Sequence, residues 1–265
     1  MTGEFGSLAH RRLSRVTPPR LITRRSWAVL QSGARWIYPV KKAAEASYAL
    51  SIVERGGLPI PADAVELVFP MTRDPEILAK AWLRAAQQTV ALLAEGRDLV
   101  FLVEGDASTF ATFGHLARVA RELAPEIEVE TIPGVSSFAA AAATTGMPLA
   151  EEDETLAIIP AAYGTGVIDH MLDEFDTLIL LKVKPLLDEV LELLERRGLM
   201  ATSCFIEKVG SPDERIVHDL ATLRDTPVNY LSLLLVRNPK RQRGELRRGC
   251  RQRKNAAAMA GEIHA

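Results

Sequence analysis

The 265-residue sequence predicts an α/β fold, with a mostly parallel sheet followed by a second α/β unit whose sheet is mixed. Three observations carry that expectation. Leu99 to Val103 is an unbroken apolar run, the pattern of a strand covered on both faces, and it ends in the tight turn Glu104-Gly105-Asp106. Strand and helix patterns alternate up to about residue 145, as a parallel sheet with crossover helices requires. Beyond Glu151 strands outnumber helices, which fits a mixed sheet.

Residues 1–20 show neither period, contain Pro18-Pro19 and read as a poorly ordered basic arm. Leu21 to Ser32 places Leu21, Trp27, Ala28 and Leu30 at helical spacings, with Thr23 available as an N-cap. Trp36-Ile37-Tyr38-Pro39 is a short strand stopped by proline, which cannot donate to a ladder. Glu45 to Arg55 is a helix by its alanine and leucine content and ends at Gly56-Gly57. Val65 to Phe69 is a strand closed by Pro70. Asp74-Pro75-Glu76 opens a helix with proline in its first position. Ile77, Ala81, Ala85, Val90 and Leu93 give that helix an apolar stripe, and Gly96 ends it. After the strand at Leu99 come a helix at Leu116 to Leu123, a strand at Val129 to Ile132, a Pro133-Gly134 turn and a helix at Ser136 to Thr145. Together these make a first domain over 21–148.

The acid run Glu151-Glu152-Asp153-Glu154 reads as an exposed linker into a second domain, 149–236. Strands are expected at Leu156 to Ile159, Thr177 to Val183, Thr202 to Lys208, Arg215 to Val217 and Asn229 to Val236. Helices are expected at Ile168 to Glu174 and Leu186 to Arg196. Residues 237–265 form a basic tail without apolar periodicity.

The net charge of −2 is unevenly spread, because the first 42 residues and the last 29 each hold nine bases. The centre keeps 14 bases against 31 acids, which makes it a poor general nucleic-acid binder. No apolar stretch reaches membrane-spanning length and no signal segment opens the chain, so a cytoplasmic protein is expected. Cys204 and Cys250 give neither a disulfide framework nor metal-ligand spacing, and the five histidines form no ligand pair. No protein-bound metal is expected.

Three turns stand at carboxyl ends of predicted strands: Glu104-Gly105-Asp106, Pro133-Gly134-Val135-Ser136-Ser137 and Leu181-Lys182-Val183. Each offers backbone groups or small hydroxyls suited to a polar small molecule. Ser108, Ser136 and Ser137 have no histidine in a triad context, and no GxGxxG or Walker loop is present. Taken singly, Ser136 reads as a helix N-cap and Asp106 as a turn aspartate.

Taken together, the segments EGDASTFATF, IPGVSSFAAAAATTGMPL, LILLKV, EKVGSPDERIV and YLSLLLV resemble the tetrapyrrole methylase family. ELVFPMTRDPEILAKAW, Glu66 to Trp82, is similar to the branch that methylates carbon 20 of precorrin-2 or cobalt-factor II in vitamin B12 synthesis. The resemblance covers roughly Leu21 to Val236. It implies the two-domain class III methyltransferase fold, with S-adenosylmethionine in the interdomain cleft, a reduced tetrapyrrole substrate and a homodimer. It places Glu104, Gly105, Asp106 and Thr109 along the cofactor, with Ser136 and Ser137 near its methionine part. Lys182, Val209 and the Tyr230 to Ser232 segment, including Leu231, fall where the second domain closes on the adenosine or faces the macrocycle. No catalytic side chain is implied, since the sulfonium methyl is already an electrophile and the electron-rich ring carbon already a nucleophile. Two departures stand out. Ala107 replaces the proline most members carry, and SRVTPPR precedes Leu21 where members have a strand and a GxGPGDPELLT loop.

Overall fold

The computed structural model describes residues 21–72 and 74–244. The expected arm at 1–20, Arg73 of the MTRDPE segment, and the tail from 245 with Cys250 lie outside the described residues.

A three-stranded parallel sheet, β1 (Arg35–Val40), β2 (Val65–Val68) and β3 (Leu99–Phe101), has the order β2-β1-β3. Successive side chains of a strand point to opposite faces, so Trp36 and Ile37 enter different cores. Trp36 and Leu102 join Leu30 of α1 (Arg24–Leu30) and Ala49 and Val53 of α2 (Tyr48–Arg55). Ile37 and Leu67 pack on Ala85 and Ala86 of α3 (Pro75–Leu93) and on Leu116 and Ala120 of α4 (Phe113–Leu123). The helix starts follow local chemistry. Thr23 caps α1, and Asp74 accepts the amides of Glu76 and Ile77 at 2.9 and 3.1 Å.

Two expected boundaries move. The second helix begins at Tyr48 rather than Glu45, because Ser47 is its N-cap and also donates to the Pro39 carbonyl at 2.9 Å. Pro39 sits inside β1 and does not stop it. Ile37 bonds toward the β3 side, its carbonyl accepting the Leu102 amide at 2.9 Å. Pro39, two residues on, faces the same side where β3 has already ended, so the missing N–H costs no ladder bond.

The strand expected at Val129 to Ile132 does not form. Its neighbourhood is held by side chains instead. Arg121 donates to the Val129 carbonyl at 3.4 Å, Thr23 to the Pro133 carbonyl at 3.4 Å, and Arg25 pairs with Glu130.

The second sheet contains β4 (Leu156–Pro160), β5 (Thr177–Leu181), β6 (Ser203–Glu207), β7 (Arg215–Val217) and β8 (Ser232–Arg237), in the order β4-β5-β8-β6-β7. Only β4 and β5 run parallel; the other pairs are antiparallel. One face carries Ile179, Cys204, Ile206, Leu233 and Leu235 against Ala141 of α5 (Ser137–Thr145). The opposite face carries Leu178, Leu180, Phe205 and Leu234 against α6 (Thr165–Glu174) and α7 (Leu187–Arg197). The α5 helix, which the sequence assigned to the first domain, thus packs on the second sheet.

The acid run is not a free linker. Glu154 is largely buried and accepts from Arg237 at 2.7 Å and Arg243 at 3.0 Å. Nor does structure stop at Val236. The last strand runs through Arg237, and beyond it Arg241 and Arg243 reach Asp176, a carboxylate only 3% exposed, at 2.9 and 2.7 Å.

Candidate functional site

The turn after β3 is organised by Asp106. One carboxylate oxygen accepts the Ser108 amide at 2.9 Å together with the Ser108 and Thr109 hydroxyls, while the other accepts the Gly134 amide at 2.7 Å. These hydrogen bonds, the Ser108 hydroxyl first, hold the Asp106 carboxyl below the usual carboxylate range. Two residues separated widely in sequence are thereby sewn into one surface. The junction tolerates no side chain at Gly134, where a Cβ would collide with the Gly105 carbonyl oxygen. Gly105 itself has φ +73°, a conformation glycine adopts without strain.

The second turn delivers α5. Ser136 is its N-cap, its hydroxyl accepting the Ala139 amide at 3.4 Å, and Ser137 is the first helical residue. The amides of Gly105, Val135 and Ser136 make no hydrogen bond among the described residues. Bare main-chain donors beside a helix N-terminus suit a ligand carrying carboxylate or other acceptor groups.

The remaining expected residues gather at one end of the second sheet. Antiparallel pairing puts the end of β5, the end of β6 and the start of β8 side by side, with Leu181 and Ile206 both opposite Leu233. Lys182 therefore follows β5 close to Leu231, whose carbonyl accepts the Lys208 amide at 2.7 Å. Val209 comes next and packs with the cluster on the α5 face. Lys182 (φ +56°) and Lys208 (φ +49°) here, and Phe110 (φ +53°) on the turn after β3, are left-handed without being glycine. Such strain persists where surrounding structure imposes it, commonly at ligand sites.

The two sheets meet through this end. The Lys182 ammonium stands 5.9 Å from the Phe110 ring centroid, so the turn after β3 touches the turn after β5. Glu104 keeps an open surface yet is crowded by protein, and this desolvation raises its pKa while the charge of Lys41, just past β1, opposes the rise. Tyr230 is pushed up by burial and by the facing charge of Glu104. Lys41 was not anticipated from sequence, because its place beside Glu104 depends on β1 and β3 ending together.

A groove of about 810 Å³ opens on the α4 side of the same turn, lined in part by Ala107, Ser108, Phe110, Phe113 and Arg118. It includes none of Lys182, Val209 or Leu231, so it is distinct from the junction between the sheets.

The chain is similar to known proteins over most of its length. The chain is 33% identical over 219 residues to the cobalt-precorrin-2 C(20)-methyltransferase of Salmonella typhimurium, covering 82% of this chain and 91% of that protein. It is 31% identical over 224 residues to a probable cobalt-precorrin-2 C(20)-methyltransferase of Methanocaldococcus jannaschii, covering 84% and 92%. In fold it is similar to the cobalt precorrin-4 methyltransferase CbiF, with a TM-score of 0.57 at 20% identity over 83% of this chain and 90% of that one. It is likewise similar to the uroporphyrin-III C-methyltransferase of Thermus thermophilus complexed with S-adenyl homocysteine, with a TM-score of 0.53 at 20% identity over 83% and 92%. The profile of the Tetrapyrrole (Corrin/Porphyrin) Methylases matches residues 17–224, and the chain belongs to that family.

Proposed function

We propose that this protein transfers the methyl group of S-adenosylmethionine to carbon 20 of precorrin-2 or cobalt-factor II in cobalamin biosynthesis. The observation that carries the reading is the likeness, over more than four fifths of the chain, to proteins named for that transfer. S-adenosylmethionine, when bound, supplies a methyl group already activated as an electrophile. The chain's own contribution is then placement and exclusion of water, and holding two reactants in line is worth up to about 7–11 kcal/mol in ideal cases.

In this reading the free amides of Gly105, Val135 and Ser136 grip the donor's polar groups. Glu104 and Thr109 stand beside it, and Asp106 fixes the turn instead of contacting it directly. Lys182, Val209 and Leu231 close the site from the second sheet. We place the work in the cytoplasm, as a homodimer; no helix among the described residues is long and apolar enough to cross a membrane.

Titration calorimetry with S-adenosylmethionine, followed by absorbance of precorrin-2 with and without cobalt, tests the proposal. Donor binding with a spectral change in one tetrapyrrole supports it. Binding without turnover would instead make the chain a carrier of donor or tetrapyrrole.

A further inference from the structure

Methyl transfer to a ring carbon forms a carbon–carbon bond while the sulfonium S–CH3 bond breaks, its electron pair leaving with sulfur. The methylated carbon is left with one proton in excess, which must depart to restore the conjugated ring. We propose that the carboxylate of Glu104 accepts that proton. The inference rests on the methyltransferase reading above and adds to it the one acid–base group that the reaction needs.

The geometry singles out Glu104 among the described residues at the junction. Asp106 is committed through both oxygens to the Ser108 and Gly134 amides. Glu207 holds Arg215 at 2.9 Å and the Asn229 amide at 3.1 Å, Asp213 pairs with Lys208 at 3.1 Å, and Glu214 accepts the Gly210 amide at 2.8 Å. The raised pKa of Tyr230 keeps its phenol protonated. Glu104 has no hydrogen bond or ion pair among the described residues.

Its position suits the task. It directly precedes Gly105, which packs against the backbone of Val135, Ser136 and Ser137, so its carboxylate stands where the two turns meet. Lys41 faces it from the end of β1 and Tyr230 from the start of β8, so charged or titratable groups bear on it from both sheets. Desolvation lifts its pKa and strengthens it as a base, while the charge of Lys41 opposes the rise.

The test compares wild type with Glu104→Gln, an isosteric change, using precorrin-2 carrying deuterium or hydrogen at carbon 20. The variant should still bind S-adenosylmethionine, while kcat falls by about 10²- to 10⁴-fold, far more than donor affinity, and the deuterium effect grows. In wild type kcat should fall as pH drops through the raised Glu104 pKa, and the variant should lack this acidic limb. Lys41→Met, which keeps the carboxylate but removes the opposing charge, should move the limb to higher pH; this arm serves if Glu104→Gln fails to fold. Full turnover in Glu104→Gln, a loss confined to donor affinity, or an acidic limb unmoved by Lys41→Met overturns the assignment. Wild type inert toward both tetrapyrroles overturns the functional reading, and the proton acceptor with it.

Discussion

The Asp106 carboxylate accepts the Gly134 amide at 2.7 Å, and this bond joins the turn after β3 to the turn that starts α5. Asp106→Ala leaves the Gly134 and Ser108 amides without their partner, at a cost of about 1–3 kcal/mol in urea unfolding. Donor affinity should fall with it, since the two turns no longer hold a common surface. Asp106 also makes stability depend on pH. Its folded pKa is depressed, chiefly by the Ser108 hydroxyl and then by the Gly134 amide. The stabilisation is therefore present above the ordinary aspartate value near ~3.9 and is lost as pH falls through the depressed one. Unfolding midpoints from pH 7 to pH 2 should show this loss in wild type and a smaller one in Asp106→Asn.

Asp176 fastens the chain after β8. Burial by itself would raise its pKa, but the Thr155 amide, Arg243, the Thr155 hydroxyl and Arg241 together bring it down to about 2. Asp176→Ala frees both arginines to water and orphans the Thr155 amide, donating at 2.8 Å in the native chain. A loss of about 1–3 kcal/mol is expected, measured by chemical unfolding. Arg241→Ala/Arg243→Ala should reproduce part of it, and shift the wild-type acid transition, which runs from the ordinary aspartate range down toward pH 2, to higher pH.

Lys182 tests whether strain is stored at the junction. Lys182→Ala and Lys182→Gly both remove the ammonium beside Phe110, so their difference isolates the backbone at φ +56°. The glycine variant should be more stable than the alanine variant by about 1–2 kcal/mol in thermal or urea unfolding. Equal stabilities would mean that the left-handed conformation carries no strain.

Much of this architecture is legible locally. Thr23, Asp74 and Ser136 announce their helices because a cap involves only the next three residues, and the apolar runs at Leu99 and Leu231 identify strands from their own composition. What local pattern cannot supply is a partner. Val129 to Ile132 has the β-branched composition of a strand, yet no neighbour pairs with it, and Arg121 and Thr23 take nearby carbonyls instead. Pro39 breaks a strand by rule, but β3 ends before the missing donor would be needed. The Asp176 clasp and the approach of Lys41 to Glu104 join distant segments, so neither acidic nor basic run discloses its partner. At the site, the family likeness named the turns. The structure adds that Asp106 and Ser136 act within the fold, as the isolated residues suggested.

The central claim is a single methyl transfer to one defined carbon. Anaerobic incubation with methyl-¹³C S-adenosylmethionine and either precorrin-2 or cobalt-factor II, read by ¹³C NMR and mass, addresses it directly. The account predicts one labelled methyl per macrocycle, bonded to carbon 20, in at least one of the two substrates. Label at another ring position, or donor bound with no label transferred to either tetrapyrrole, would contradict it.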